Sequence, residues 1–416
     1  MKRGMTRRTF LRRAATTLSL TPLLAACGSA EKSETPATSS AAGGSPTVVV
    51  PSQRTSTATV SGQLRIGYLP ITDAAPLLLA HAKGFYREEG LSVEQPTMFR
   101  SWAQVAEAFQ ARQVDVVHLL MPLAIWMRFG QQVPVKLVAW DHVNGSALTV
   151  AERIERLEDL AGATVAIPFW YSIHNVLLQR LLERAGLRPI LEGQPSASER
   201  TVKLVVLAPA DMAPALANGS IAGYIVAEPF NALAEVQKAG KILRFSGDVW
   251  LDHACCVVML HEEECVSRPD WAQAVVRAVV RAQRFARENR AEAAQLLAKR
   301  GDRGYLPQPL QAIERVLLDH DHDRYVREGV IRHPEWSAAR IDFRPYPFSS
   351  YTAALIEHLR RTRVQGDASF LQQLDPLRAH EELVDDRFVR QALTEEGGPA
   401  VFGLPESLER EELIDP

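Results

Sequence analysis

The segment from Gly67 to Leu77 has the pattern of a strand that ends in a polar turn before a helix. Pro76 suits the first turn of such a helix, and Thr72 or Asp73 is expected to cap it. Free backbone N–H groups and the positive end of the helix dipole favour a small anionic or polar ligand there. We therefore predict that Thr72 and Asp73 belong to a ligand site, although an ordinary capped turn would give the same pattern.

An internal similarity points to a second part of the same site. Residues 105–122 align at a constant offset with residues 212–229, and both segments read as helix, tight turn, buried strand and proline. The pattern favours two similar lobes, although common α/β topology also produces it. Because ligands bind at strand ends in open α/β sheets, Met121-Pro122 and Glu228-Pro229 are expected at a shared cleft.

His253, Cys255 and Cys256 form a chemically reactive group of residues close together in the chain. On a strand, His253 and Cys255 would share one face and Cys256 would lie on the other. We favour two small buried side chains on a crossover strand. A disulfide to Cys265 remains open, and we predict no metal site and no cofactor.

Residues 1–26 are typical of an export signal, because six basic residues precede a short apolar stretch and a small-residue segment. Thr6 to Leu11 resembles a twin-arginine signal, and Leu24 to Cys27 resembles a bacterial lipobox. We predict cleavage before Cys27 and its acylation. The protein would then be anchored by lipid to the cell membrane and face the periplasm or the cell exterior.

Residues 27–60 are rich in Ser, Thr, Ala, Gly and Pro, and we interpret them as a flexible linker behind the acylated cysteine. The 416-residue chain has a net charge of −2. Removal of residues 1–26 leaves 41 basic and 49 acidic residues, or −8. This acidic balance argues against a nucleic-acid partner. Residues 395–416 are predicted to be an acidic, loosely held tail.

Strand and helix patterns alternate from Gln63 to about residue 207, and helices dominate after Pro269. This order predicts an α/β fold with mostly parallel sheets in two lobes. The sequence contains neither a GxSxG elbow nor a Walker phosphate loop, and we predict no catalytic residue.

The turn at Gly67 to Leu77, the segment Ala82 to Tyr86 and the Gly90-Leu91-x-Val93 sequence together resemble periplasmic substrate-binding proteins of ABC transporters. The order of Ser101-Trp102-Ala103, Asn144-Gly145, residues 227–232 and residues 342–347 is similar to the nitrate- and bicarbonate-binding branch. The resemblance covers residues 63–393. It implies a type II periplasmic-binding fold, with residues 63–149 and 255–393 in lobe 1 and residues 150–254 in lobe 2. An ABC permease and its ATPase are the implied partners.

The resemblance also implies roles for individual residues. Trp102 matches the tryptophan of the binding cleft, where an indole offers a flat wall and one donor to a planar anion. His174 matches a ligand-binding histidine, although a lone histidine is often structural. Glu228 is expected to accept from the ligand or to bridge the lobes.

Two departures from that branch leave the ligand open. Ser146 stands where the nitrate and bicarbonate proteins have a glutamine after Asn-Gly, and the lysine near the return strand is missing. His253 could replace that lysine if it is protonated. A nitrate- or bicarbonate-like oxyanion ranks first, followed by a sulfonate or a small heterocycle.

Two other classes of function remain possible from the sequence. Pyrimidine synthases of thiamin metabolism share the broad fold and use a histidine and a cysteine-rich segment, which His174 and Cys255-Cys256 resemble. The export signal argues against that cytoplasmic chemistry. A receptor that reports to a membrane sensor would have the same sequence features as a transport receptor.

Overall fold

The computed structural model describes residues 63–298, 304–318 and 321–416. The predicted export signal, linker and acylated Cys27 lie outside the described residues. The described chain forms a mixed α/β fold built on two principal sheets.

The first sheet has five strands in the order Thr97–Met98, Ile66–Tyr68, Val116–Leu120, Cys256–His261, Val135–Trp140. Ile66–Tyr68 pairs in parallel with both of its neighbours. Cys256–His261 is antiparallel to the strands on either side of it. Val116–Leu120 is buried along its whole length, which agrees with its continuous apolar sequence.

The second sheet has six strands in the order Arg188–Ile190, Thr201–Val206, Thr164–Ile167, Gly223–Ala227, Ser146–Val150, Lys241–Phe245. Its first three strands are parallel. Ser146–Val150 is antiparallel to the strands on both sides of it. Each sheet therefore contains one strand that runs antiparallel to its neighbours. In each case this is the strand that the chain forms directly after it crosses over from the other sheet.

The first crossing between the sheets lies a few residues earlier than predicted. We assigned residues up to 149 to lobe 1, but Ser146–Val150 pairs only within the second sheet. Asn144 and Gly145 have φ angles of 61° and 80°, a left-handed pair that turns the chain between the sheets. Ser146–Val150 belongs to the second sheet because it pairs with strands about 80 and 95 residues further along the chain. The local hydrophobic pattern does not indicate these partners.

Helices connect the strands of both lobes. The described helices up to the return crossing are Ala75–Ala82, Phe85–Glu88, Trp102–Gln110, Met121–Ile125, Ile173–Arg184, Pro209–Ala217 and Phe230–Gln237. Gly84 adopts a φ of 78° and separates the helices Ala75–Ala82 and Phe85–Glu88. Ile173–Arg184 begins directly after Ser172, whose side chain accepts a hydrogen bond from the N–H of Asn175.

The remaining chain is mainly helical, as the sequence predicts. Its α-helices are Glu262–Ser267, Pro269–Glu288, Arg290–Leu297, Leu310–Leu317, His322–Arg327, Ser349–Arg361, Phe370–Gln373, Pro376–Leu383 and Arg387–Glu395. Pro269–Glu288 packs between Ala75–Ala82 and Arg387–Glu395 and buries most of its apolar side chains. None of the helices in the described ranges has the length and hydropathy that a bilayer crossing requires.

The C-terminal tail is not loosely held, which corrects the prediction for residues 395–416. The N–H of Leu251 donates to Leu413 O, and the N–H of Asp415 donates to Val249 O. Trp250 Nε1 donates to Glu412 Oε2 at 2.7 Å. The tail's composition suggested disorder, but these bonds to a distant segment hold it in place.

Candidate functional site

The strand ends of the two sheets meet at a buried group of polar side chains. We call it the central polar cluster and define it as Asp73, Trp102, His118, Asp141, His142, Ser146, His174, His253, Cys255 and Cys256. Each member has at most 1% of its surface exposed. The two antiparallel strands begin here, since Ser146 pairs with Ala227 at one strand end and Cys256 pairs with Leu120 at another. The topology therefore brings residues from both lobes to one place.

Thr72 and Asp73 lie in a short 3₁₀ turn, Thr72–Ala74, before the helix that begins at Ala75. Neither side chain caps that helix, which corrects our expectation. The Oγ1 of Thr72 and its backbone N–H both donate to Glu228 O, at 3.0 and 2.9 Å. Thr72 thus links the lobes, while the Asp73 side chain turns into the central polar cluster.

Asp73 and His142 form the most closely paired part of the cluster. His142 Nε2 lies 2.9 Å from Asp73 Oδ2, and both side chains are fully buried. Burial raises the pKa of Asp73 to about 6, although His142 opposes the shift. Burial disfavours a charge on His142, but the Asp73 carboxylate outweighs it and raises the pKa of the imidazole well above its usual range. The pair shares one proton at neutral pH.

Cys255 and Cys256 both face the cluster, which corrects the prediction that they lie on opposite faces. Their Sγ atoms are 4.0 Å apart, and Cys256 Sγ lies 3.5 Å from Asp73 Oδ2. The regular strand begins only at Cys256, so the alternation of side chains does not extend back to Cys255. Cys255, Cys256 and Cys265 are free thiols, and the disulfide left open by the sequence is not formed.

The two adjacent thiols differ in acidity. Burial opposes ionisation of Cys255, but hydrogen bonding from Cys256 and the nearby His174 lower the pKa of its thiol well below the usual range. Burial and the neighbouring Cys255 raise the pKa of Cys256 well above it. Cys255 is therefore the more acidic thiol of the pair.

Ser146 and His174 come from the second lobe and contact each other. Ser146 Oγ lies 2.9 Å from His174 Nε2, and Cys255 Sγ lies 3.8 Å from the same nitrogen. His174 occupies the first turn of its helix, where Ser172 provides the cap. The structure thus brings two of the sequence-predicted site residues together and joins them to the cysteine segment.

Trp102 and His118 form one wall of the cluster. Trp102 begins the helix Trp102–Gln110, capped by Ser101, and its ring centroid lies 5.3 Å from that of His118. His118 Nε2 accepts the backbone N–H of Leu69 at 2.9 Å. Burial lowers the pKa of His118 to about 3, so this imidazole is neutral.

His253 is fully buried, and burial lowers its pKa to about 3. A neutral imidazole carries no charge, so burial argues against His253 as the cation in place of the missing lysine. Neither ring nitrogen has a hydrogen-bond partner.

Glu228 lies next to the cluster but its carboxylate is already paired. Oε1 accepts from Arg340 Nη2 at 2.6 Å, and Oε2 accepts the N–H of Ala232 at 3.0 Å. Its backbone carbonyl accepts from Thr72, so Glu228 contacts lobe 1 through its main chain as well as through the ion pair of its side chain with Arg340.

Sequence reasoning missed His118, Asp141 and His142. His118 lies inside a strand, and Asp141 and His142 directly follow Val135–Trp140. The sequence signal that could have identified them is a polar residue inside a buried strand or directly after one. Burial raises the pKa of Asp141 well above its usual range, although His142 opposes the shift.

Unsatisfied polar atoms concentrate in the cluster. The buried atoms without a partner there are Asp73 Oδ1, His118 Nδ1, both carboxylate oxygens of Asp141, His142 Nδ1, His174 Nδ1 and both ring nitrogens of His253. Buried polar atoms normally have partners, and a group of exceptions needs an explanation. A polar ligand or ion held by these atoms would satisfy them.

The fold and the site define a class of protein, the two-lobed periplasmic-binding fold with a polar site between two sheets. The model of the NMT1-like family matches residues 58–299, and the chain belongs to that family. The nitrate/nitrite binding protein NrtA of Nostoc sp. PCC 7120 is 25% identical over 313 residues, covering 69% of this chain and 68% of NrtA.

Further similarities extend to another curated protein and to a solved structure. The nitrate import ATP-binding protein NrtC of Synechocystis sp. PCC 6803 is 30% identical over 240 residues, which cover 55% of this chain but only 35% of NrtC. The chain thus spans about a third of that relative's length. The crystal structure of the periplasmic nitrate-binding protein NrtA from Synechocystis PCC 6803 has a TM-score of 0.67 and 21% identity, covering 85% of this chain and 93% of the other.

Proposed function

We propose that the protein is the extracytoplasmic solute-binding lipoprotein of an ABC importer. It captures a small polar solute between its lobes and delivers the solute to a membrane permease driven by an ATPase. The central polar cluster carries this proposal, because both lobes contribute to it and its buried polar atoms lack partners. The nitrate-binding and ATP-binding relatives support the assignment to an import system.

A nitrate- or bicarbonate-like oxyanion is the first ligand class, and a sulfonate or a small heterocycle is the second. Support for the oxyanion comes from the named relatives and from Trp102, which offers a flat wall. The cluster as defined contains no lysine or arginine, so a bare anion depends on His142, His174 and hydrogen-bond donors. Thr72, Ser146, Glu228 and His253 remain proposed contributors to the site.

Export and anchoring are part of the same proposal. The twin-arginine-like segment and the lipobox-like segment support export and acylation at Cys27. A Cys27→Ser variant should no longer incorporate radiolabelled palmitate in cells and should leave the membrane fraction. Labelling that persists in this variant would contradict acylation at Cys27.

A thermal-shift screen of the full chain tests the ligand class. The panel contains nitrate, nitrite, bicarbonate, taurine, alkanesulfonates and pyrimidines. A ligand at a hundred times its dissociation constant should stabilise the protein by about 2.7 kcal/mol. A shift with an organic solute alone would exclude the oxyanion, and no shift with any solute would contradict the receptor assignment for this panel.

Substitution of Trp102 tests whether its indole contacts the ligand that the screen identifies. Trp102→Ala should weaken the ligand more than tenfold, and Trp102→Phe should retain the flat wall and lose less affinity. Trp336, which stacks on His333 away from the cluster, supplies the control Trp336→Ala. Unchanged affinity in a folded Trp102→Ala protein would remove Trp102 from the site.

A second candidate function is an enzyme similar to the pyrimidine synthases. The distance of 3.8 Å between Cys255 Sγ and His174 Nε2 favours it, because a cysteine beside an imidazole is readily activated as a nucleophile. The two functions differ in what happens to the bound molecule. A receptor releases its solute chemically unchanged, so mass spectrometry of the recovered ligand distinguishes them.

A further inference from the structure

We propose that Asp73, His142, Cys255 and Cys256 form a binding site for Zn²⁺. The inference goes beyond the proposed function and does not rest on it. One ligand atom from each of the four buried side chains can be chosen so that all four lie within 4.8 Å of one another. The chain positions that supply them are far apart, and the fold assembles them where the two sheets meet.

The distances between the donor atoms approach those of a tetrahedral site. Metal bonds of about 2.0–2.3 Å require donor atoms about 3.3–3.8 Å apart. Cys255 Sγ and Cys256 Sγ are 4.0 Å apart, and Cys256 Sγ is 3.5 Å from Asp73 Oδ2. Asp73 Oδ2 and His142 Nε2 are 2.9 Å apart. All four donor atoms lie within 4.8 Å of one another, so side-chain shifts of about 1 Å or less would bring them to the spacing of a tetrahedral site.

The donor set selects the class of metal. Two sulfurs with one imidazole nitrogen and one carboxylate oxygen suit Zn²⁺, whereas Ca²⁺ and Mg²⁺ prefer oxygen ligands throughout. Zn²⁺ also takes four ligands readily. The cluster therefore points to zinc and away from the hard cations.

The charge of the donor set leads to the same conclusion. Two thiolates and a carboxylate would place three negative charges in a region shielded from water, and such charges are costly unless they are compensated. A divalent cation provides that compensation.

Neighbouring groups are suited to hold the ligands in position. The backbone nitrogen of Cys256 lies 3.3 Å from His142 Nε2, so the imidazole already lies against the cysteine segment. Ser146 Oγ lies 4.0 Å from Cys255 Sγ and can donate to a metal-bound thiolate. Asp73 Oδ1 and His142 Nδ1 are buried and without partners, so neither residue is fully used by the protein's own hydrogen bonds.

Metal uptake by the full chain tests the proposal. The protein is reduced, stripped with a chelator and dialysed against a known concentration of Zn²⁺. Elemental analysis should find about one zinc per chain. Titration with Co²⁺ should produce the intense near-ultraviolet charge-transfer bands of a thiolate complex. Less than a tenth of an equivalent of zinc in folded, fully reduced protein would overturn the proposal, as would bound Co²⁺ without thiolate bands.

Cysteine variants localise the metal. Cys255→Ser and Cys256→Ser should each weaken zinc binding at least tenfold in competition with a chromophoric chelator, since each removes a direct ligand. Cys265→Ser is the matched control, because Cys265 is also a buried free thiol and lies outside the cluster. Equal losses in all three variants would contradict the assigned site. Circular dichroism of each variant establishes that it is folded.

Failure of the zinc proposal can be distinguished from failure of the proposed function. The solute panel is repeated on stripped and on zinc-loaded protein. Zinc uptake without any solute response supports the metal site and contradicts the receptor. A solute response without zinc uptake supports the receptor and overturns the metal site.

Discussion

Four buried histidines lie in the central polar cluster, and their partners give them different chemistry. His118 and His253 are neutral, because burial lowers the pKa of each to about 3. His142 is held in its charged form by Asp73. His174 contacts Ser146 and Cys255 and has a free Nδ1. Histidine thus forms part of a wall at His118, carries a charge at His142 and provides a contact from the second lobe at His174.

His174→Asn should weaken an oxyanion at least tenfold and a neutral heterocycle less, because asparagine can donate a hydrogen bond but cannot carry a charge. Isothermal titration with one ligand of each kind measures the difference. His261→Asn is the control, since His261 is also a buried histidine but stacks on Phe109 outside the cluster. Equal losses for the two ligands would argue against a role for charge at His174.

At the scale of single elements, the helix Phe230–Gln237 carries one carboxylate, that of Glu235, which makes ion pairs and a hydrogen bond with residues from a later part of the chain. Glu235 pairs with Arg315, Arg324 and Arg340 and accepts from Tyr325 Oη at 2.7 Å. Burial opposes its charge, but Arg340 and the other partners outweigh this effect and lower the pKa of Glu235 below its usual value of 4.5. The charged carboxylate therefore stabilises the folded state.

The pH dependence of stability follows from the direction of that shift. A carboxyl whose pKa is lower in the folded state stabilises above its unfolded pKa, and this contribution is lost as the pH falls through the folded pKa. Glu235→Gln should cost about 1.5–3 kcal/mol at pH 7, because it removes charged hydrogen bonds from Arg340, which keeps only Glu228 as an acidic partner among the described residues. Thermal melts from pH 7 to pH 3 should show that the difference in stability between this variant and the wild type becomes smaller below pH 4.5. A difference in stability that does not change with pH would contradict the stabilising role of the Glu235 charge.

The C-terminal tail is another element whose order depends on a few polar contacts. Glu412 accepts from Trp250 Nε1 and also pairs with Arg410, and its side chain is 7% exposed. Glu412→Gln should lower the free energy of unfolding by about 1.5–3 kcal/mol, which is typical of hydrogen bonds to a charged group. Glu411→Gln, an exposed neighbour, is the control in urea denaturation. Equal midpoints for both variants would mean that Glu412 does not hold the tail.

At the scale of the whole molecule, two crossings join the sheets, and polar contacts between the lobes add to them, among them those of Thr72 with Glu228 and of Asn175 with Arg363. The crossings lie before Ser146 and before Cys256, so the site is bordered by the segments that would move in a hinge motion. Thr72 from the first lobe donates twice to Glu228 O from the second. These bonds hold the turn at Thr72 against the second lobe.

Thr72→Val should weaken solute binding about three- to tenfold, since it removes one buried hydrogen bond of about 1 kcal/mol. The change should appear mainly in faster dissociation, measured by stopped-flow fluorescence. Thr352→Val is the matched control, because Thr352 loses a comparable bond to His380 away from the site. A similar loss of affinity in both variants would assign the effect to general destabilisation.

The sequence by itself determined the class of fold and several single positions. Continuous apolar runs such as Val116–Leu120 are buried strands, because only the interior of a sheet accommodates them. Trp102 and His174 could be singled out by resemblance, and both lie in the cluster. The prolines after Met121 and Glu228 correctly marked the ends of two equivalent strands.

Only the tertiary structure decided which polar residues meet. His118, Asp141 and His142 join Asp73 and the two cysteines because strands distant in sequence end at one place, and hydrophobic patterning does not encode that juxtaposition. Glu228 was expected to accept from the ligand or to bridge the lobes, and its partner Arg340, 112 residues away, is not indicated by any local pattern. The order of the tail and the orientation of Cys255 likewise depend on long-range contacts. Local sequence specifies each element, whereas the chemistry of the site arises from how the two sheets are joined.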